Sequence, residues 1–147
     1  MHRRNLFAGF IAGLGAAAAA RVSKAQAGTP DASKVVYHLS DADKVGFVLG
    51  NIGNHYEGAG GPSRVRIVLV VHGPALKAFR ANAATPVTRQ EVGKFHEGGL
   101  ELNACGNTMK AQKITVQDLL PGFVAAEQGG VVRIAELQAQ GYVYLRP

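Results

Sequence analysis

The chain has 147 residues, with 16 lysines and arginines against 10 aspartates and glutamates, a formal net charge of +6 and one cysteine. This length suits one domain with one hydrophobic core and leaves no room for two domains of ordinary size. A lone cysteine excludes an internal disulfide, so stability has to come from burial or from contacts between subunits.

The first 27 residues have the layout of a signal peptide. Arg3 and Arg4 give a basic start, an apolar stretch runs from about residue 6 to residue 20, and small residues stand at Ala25 and Ala27. Because the apolar stretch is shorter than the roughly 20 residues that cross a bilayer, the pattern argues against a permanent membrane anchor. We expect cleavage after Ala27 and a mature protein in the periplasm.

The basic residues of this segment bear on the export route and on the charge of the mature chain. The Arg3-Arg4 pair, with Arg21 and Lys24 near the cleavage site, favours twin-arginine export, and general secretory export is the alternative. Removing residues 1–27 removes these four bases and no acids, so the net charge falls from +6 to +2. The remaining bases form no stripe, which argues against nucleic-acid binding and against charge-driven membrane binding.

Strands and helices alternate along the rest of the chain. Residues 28–33 are small and polar, and we expect them to be loose. Residues 34–40 are rich in β-branched and aromatic side chains, which predicts a strand. A helix is predicted from Asp41 to Tyr56, with Ser40 or Asp41 as the N-cap and with one apolar stripe, formed by Val45, Val48, Leu49, Ile52 and Tyr56.

The strongest predicted strand is Arg64–Gly73, and its pattern indicates the class of fold. Its apolar run from Ile67 to Val71 does not alternate with polar residues, which is typical of a parallel strand covered on both faces. Helices are then predicted over residues 74–83, 86–99, 107–112, 115–120 and 130–141, and strands over residues 100–104, 123–128 and 142–147. The alternation predicts one domain, residues 34–147, with a three-layer α/β/α sandwich on a mostly parallel sheet of about five strands.

Three chemically active side chains stand near the ends of three predicted strands. His38 lies near the end of the first strand, His72 at the end of the second and Cys105 at the end of the third. Ligands of parallel α/β sheets collect outside the carboxyl ends of the strands. We therefore expect the three side chains to meet at one rim of the sheet.

Cys105 precedes a predicted helical turn that begins near Gly106, Asn107 and Thr108. Free N–H groups at such a turn would face the sulfur and favour the thiolate, which is the form that attacks sulfur or binds a metal. We expect this sulfur to be open to solvent, with His72 as a candidate proton donor. The alternatives are a buried cysteine that only packs and an imidazole bonded to a loop carbonyl.

Other chemistries find less support in the residue pattern. His38, His72 and Cys105 match a catalytic zinc set, but no local Cys-x-x-Cys or His-x-x-x-His spacing enforces that geometry. A serine hydrolase would need a Gly-x-Ser-x-Gly elbow, which the chain lacks. The glycine-rich run at residues 58–61 precedes a strand, whereas a phosphate-binding loop follows one.

Five segments carry a family resemblance in their order along the chain: KVVYHLSDADK from Lys34, VVHGPALKAF from Val70, ACGNTMKAQKI from Ala104, DLLPG from Asp118 and LQAQGYVYLRP from Leu137. Together they resemble the DsrE/DsrF-like family of small sulfur-relay proteins. The resemblance implies a three-layer α/β/α fold, homotrimers or homohexamers, and a cysteine that carries a persulfide. Cys105 stands in the ACGNT piece and His72 in the HG piece.

The resulting prediction is an exported sulfur-relay protein that binds or transfers sulfane sulfur as a persulfide on Cys105. The proton donor would be His72, the groups stabilising the sulfur anion would be Gly106, Asn107 and Thr108, and His38 would lie at the rim. We expect a carrier rather than a multi-turnover enzyme, without a cofactor, whose partner is a donor or acceptor protein or a small polysulfide. The alternatives are a non-catalytic oligomeric assembly module and a His/Cys metal-binding protein.

Overall fold

The computed structural model describes residues 32–147, which lie in one compact unit. The predicted signal peptide and most of the predicted loose segment lie outside the described residues, and Ser33 begins the first strand. The strands are β1 (Ser33–Leu39), β2 (Val65–Val71), β3 (Glu101–Cys105), β4 (Phe123–Ala126) and β5 (Val143–Leu145). The α-helices of this part of the chain are α1 (Val45–Ala59), α2 (Pro86–Glu97), α3 (Gly106–Gln112) and α4 (Gly130–Ala139).

The strands form one sheet in the order β4-β3-β2-β1-β5, and every neighbouring pair is parallel. The chain moves stepwise from β1 to β4 through α1, α2 and α3. Since crossovers between parallel strands are right-handed, these helices lie on one face of the sheet. The connection from β4 to β5 runs back past β1, so right-handedness places α4 on the opposite face.

Two buried clusters reflect these two faces. The larger cluster packs α1, α2 and α3 against alternate strand residues such as Val35, Ile67 and Leu102. The smaller cluster packs Ile134 and Leu137 of α4, with Tyr142, against Val36, Val68 and Val70. The predicted α/β fold on a five-stranded parallel sheet is confirmed, and its second helical layer is α4.

The apolar stripe of α1 is buried in the larger cluster, as its spacing indicates. Phe47 is the large apolar residue of this helix that faces solvent, with 61% of its surface exposed. None of the helices within residues 32–147 is long and apolar enough to cross a membrane.

Three predicted helical segments differ from the structure. α1 begins at Val45 after a 3-10 turn at Ala42–Lys44. Asp41 precedes that turn without a side-chain cap, and its carboxylate accepts a hydrogen bond from Arg146. The helix predicted over residues 74–83 is a 3-10 helix, Gly73–Phe79, which ends where Arg80 bridges to Leu119. The helix predicted over residues 115–120 is a 3-10 turn, Val116–Asp118.

Candidate functional site

The strand register places the three predicted rim residues on one face of the sheet. His38 pairs with Val70, Val70 pairs with Asn103, and Val71 pairs with Ala104. His72 and Cys105 are therefore at equivalent positions one residue beyond the Val71–Ala104 pair. Because side chains alternate along strands, His38, His72 and Cys105 all point to the α4 face.

Cys105 is the last residue of β3 and immediately precedes α3. Its side chain packs near the first residue of α4, since a Cβ added to Gly130 would lie 3.3 Å from the Cβ of Cys105 and 3.5 Å from the Cβ of His72. Only 5% of the surface of Cys105 is exposed. The expectation that this sulfur is open to solvent is therefore wrong for the described chain, because the start of α4 covers it.

The surroundings of the thiol nevertheless favour its ionised form. Burial by itself raises the pKa of Cys105, but interactions with the Thr108 hydroxyl and with the backbone amides of Gly130, Thr108 and Asn107 outweigh that effect and lower it. The sulfur makes no capping hydrogen bond to α3. The lowered pKa therefore comes from several donors around the sulfur, with the Thr108 hydroxyl foremost, rather than from a cap on α3.

The Thr108 hydroxyl connects the sulfur to the loop after β2. Its oxygen accepts a hydrogen bond from the Gly73 N–H at 2.9 Å, which leaves the hydroxyl proton for the sulfur. The side-chain amide of Gln112 donates to the Gly73 carbonyl at 3.0 Å. Helix α3 thus holds the peptide that follows His72, and the positions of His72 and Cys105 depend on the same helix.

The two predicted histidines are joined to a tyrosine of the last strand. His38 Nε2 lies 2.6 Å from His72 Nε2, and His38 Nδ1 lies 2.7 Å from the Tyr144 hydroxyl oxygen. His38 is buried, with 8% of its surface exposed, His72 is partly exposed, and Tyr144 is 38% exposed, so the tyrosine forms a solvent-facing end of this series of hydrogen bonds. His72 contacts His38 through its Nε2 atom, so this nitrogen is engaged by His38.

The surroundings of both imidazoles favour their neutral forms. Burial lowers the pKa of His38 to about 4, with further lowering by His72 and Arg146 and an opposing effect of Asp41. Burial also lowers the pKa of His72, again with Arg146 adding to the effect and Asp41 opposing it. Arg146 donates to both Asp41 and Ser40, so its charge is held near the pair.

The three residues predicted to stabilise the sulfur anion have two different roles. The amides of Asn107 and Thr108 interact with the sulfur, whereas Gly106 provides room: a Cβ on it would lie 2.9 Å from the Ala126 carbonyl oxygen. Sequence reasoning missed Gly130 and Tyr144. Two signals in the sequence pointed to these residues. Gly130 belongs to a Gly129-Gly130 pair before a helical pattern, and Tyr144 stands near the end of a predicted strand.

The zinc set considered from the sequence is not assembled. Within residues 32–147, no three histidine, cysteine, aspartate or glutamate side chains lie close enough together to hold a metal ion. His38 and His72 meet through their Nε2 atoms, but Cys105 does not join them in a common ligand geometry.

Comparison with known proteins identifies the family. The model of the DsrE/DsrF-like family matches residues 31–147. No functionally curated protein matches the chain significantly. Among solved structures, the chain is similar to MTH1491, a protein of unknown function from Methanobacterium thermoautotrophicum, with 26% identity, coverage of 78% of this chain and 99% of that chain, and a TM-score of 0.69. The chain belongs to the DsrE/DsrF-like family.

Proposed function

We propose that this protein is a sulfur carrier that accepts sulfane sulfur on Cys105 and passes it on as a persulfide. The observation that carries the proposal is the position of the sulfur: Cys105 ends β3 directly before α3, and its Cβ packs against Gly130 at the start of α4. Donors nearby lower the pKa of the thiol, namely the hydroxyl of Thr108 and the amides of Asn107, Thr108 and Gly130. Those donors come from the beginnings of α3 and α4, and both helices present unpaired N–H groups there. Family membership supports a sulfur-relay role of this kind.

The proposed chemistry needs no outside oxidant or reductant. The Cys105 thiolate attacks the terminal sulfur of a polysulfide, a new sulfur–sulfur bond forms on Cys105, and the bond to the rest of the donor breaks. The electron pair of that broken bond leaves with the shortened polysulfide anion. Delivery is the reverse step, in which an acceptor thiolate takes the outer sulfur and Cys105 regains its thiolate.

The cover over Cys105 favours small donors. The segment from Ala126 to Gly130 closes over the start of α3, and the Asn107 amide lies against Gly129, where an added Cβ would be 2.7 Å from its nitrogen. A bulky protein donor could not reach a side chain that is 5% exposed without moving this segment. Inorganic polysulfide, a narrow chain of sulfur atoms, is the donor class that this site fits best.

Incubation of the purified protein with inorganic polysulfide, followed by intact mass measurement, tests the proposal. We expect the added mass of one sulfur atom on the wild type, removal of that mass by a reducing thiol, and no added mass on Cys105→Ser. Equal uptake by the Cys105→Ser variant, or no uptake by a folded wild type, would exclude Cys105 as the acceptor.

A second candidate is a non-catalytic assembly module, which the burial of Cys105 favours. Five of the seven exposed large apolar residues within residues 32–147 lie on β4, α4 and β5: Val124, Val131, Val132, Val143 and Tyr144. Such residues suit contacts between copies, in line with the homotrimer or homohexamer that the family resemblance implies. The polysulfide experiment distinguishes the two candidates, because an assembly module takes up no sulfur.

The proposed site of action is the periplasm. The support is in the sequence alone, namely the basic start, the apolar stretch and the small residues before Gly28. In an oxidising compartment, a cysteine without an internal partner is free for exchange with external sulfur. Burial would also protect it from random disulfide formation.

A further inference from the structure

A continuous hydrogen-bonded chain runs from the surface to the rim of the sheet. The Tyr144 hydroxyl meets His38 Nδ1 at 2.7 Å, and His38 Nε2 meets His72 Nε2 at 2.6 Å. Each neutral imidazole has one N–H donor and one acceptor nitrogen. The direction of the first hydrogen bond therefore fixes the directions of all that follow.

The phenol sets that direction. A phenol hydroxyl, with a pKa of about 10, is a better donor than a neutral imidazole N–H, and an imidazole nitrogen is a better acceptor than a phenol oxygen. Tyr144 O–H therefore donates to His38 Nδ1. His38 then carries its proton on Nε2 and donates it to Nε2 of His72, so that His72 carries its own proton on Nδ1.

We propose that Tyr144 and His38 are positioning residues for sulfur chemistry at Cys105, because they hold His72 as the Nδ1–H tautomer and so make it a donor instead of a base. This inference rests on the proposed function. Nδ1 is the ring nitrogen nearer the Cβ of His72, and that Cβ and the Cβ of Cys105 both pack around Gly130. An N–H donor on this side of the ring would be available to the outer sulfur of a persulfide on Cys105, whereas the groups that act on the cysteine sulfur itself are those of Thr108, Asn107 and Gly130.

The surroundings of the pair favour its neutral form. Tyr144 faces His38 from β5, Arg146 and Asp41 flank the pair from the chain end and from the loop after β1, and Cys105 lies beyond His72. Burial and Arg146 both oppose protonation of the pair. While both rings are neutral, these hydrogen bonds determine which ring nitrogen of His72 carries the proton.

Nitrogen NMR of the histidine rings, combined with the pH profile of sulfur uptake from inorganic polysulfide, tests the inference. In the wild type we expect His72 protonated on Nδ1. Tyr144→Phe should leave His72 as a mixture of its two tautomers. Sulfur uptake at pH 7 should then slow about three- to tenfold, which corresponds to the loss of one hydrogen bond. His38→Gln keeps an N–H donor close to the position of Nε2 and should retain the His72 tautomer.

Tyr37→Phe is the matched control, because Tyr37 bonds His55 Nδ1 at 3.0 Å and its strand position places it on the other face of the sheet. It should leave both the His72 tautomer and the uptake rate unchanged. A wild-type His72 protonated on Nε2, or a Tyr144→Phe variant with an unchanged tautomer, would overturn the inference. The NMR readout requires no sulfur, so failure of the proposed function, seen as no uptake by wild type, is distinguished from failure of this inference.

Discussion

Replacement of Gly106 by alanine is expected to lower the free energy of unfolding by about 1–3 kcal/mol. The new Cβ would lie 2.9 Å from the Ala126 carbonyl oxygen, 3.0 Å from the Glu127 carbonyl oxygen and 3.1 Å from the Glu127 Cα. All three are backbone atoms, so no flexible side chain can turn aside. Urea unfolding followed by circular dichroism measures the change, and the covering segment should shift and expose the Cys105 thiol to labelling.

Gly93→Ala is the control for this substitution. Gly93 lies inside α2 and has nothing within 4 Å of an added Cβ. Alanine there should raise the free energy of unfolding, by up to about 1 kcal/mol, because alanine is the better helix former. If Gly106→Ala were as stable as Gly93→Ala and left the thiol equally protected, the close packing of Ala126 and Glu127 over the start of α3 would be contradicted.

Replacement of Thr108 by valine is expected to slow labelling of Cys105 by about tenfold at pH 7, because the loss of a hydrogen bond to the anion raises the pKa of the thiol. Valine keeps the shape of threonine but removes the hydroxyl that interacts with the sulfur. The change also removes the acceptor of the Gly73 N–H, which loosens the loop after His72. Alkylation rates measured from pH 5 to pH 9 separate a pKa change from a change in access.

Thr108→Ser retains the hydroxyl and should stay close to wild type in the same profile. The sign of the effect is fixed by the chemistry: fewer donors to the anion leave less thiolate at a given pH, so the profile moves to higher pH. A valine variant that labels as fast as the serine variant across this range would show that the hydroxyl does not stabilise the thiolate.

The sequence was sufficient for the strands and for placing His38, His72 and Cys105 at the carboxyl ends of the strands, whereas two of the predicted helices are 3-10 segments. The β-branched, non-alternating run at Ile67–Val71 indicated a doubly covered parallel strand, and the structure has β2 at the centre of a five-stranded parallel sheet. The carboxyl-end positions of His38, His72 and Cys105 followed from the strand predictions alone. These are local signals, which periodicity and composition carry well.

Long-range placement was not predictable in the same way. Gly130 reaches Cys105 only because α4 crosses back over the sheet, and Tyr144 reaches His38 only because the three-residue strand β5 pairs with β1. The same crossing buries Cys105, which the sequence pattern led us to expect in solvent. The position of Cys105 along the chain identified the candidate sulfur, but the packing of a distant helix determines how accessible that sulfur is.

Mass analysis of the protein isolated from the cell envelope of its native organism tests the central claim most directly. The account predicts a chain that begins at Gly28 and carries one additional sulfur atom, located on the peptide that contains Cys105 and removed by a reducing thiol. A chain that retains its first 27 residues and whose Cys105 carries no sulfur would contradict it.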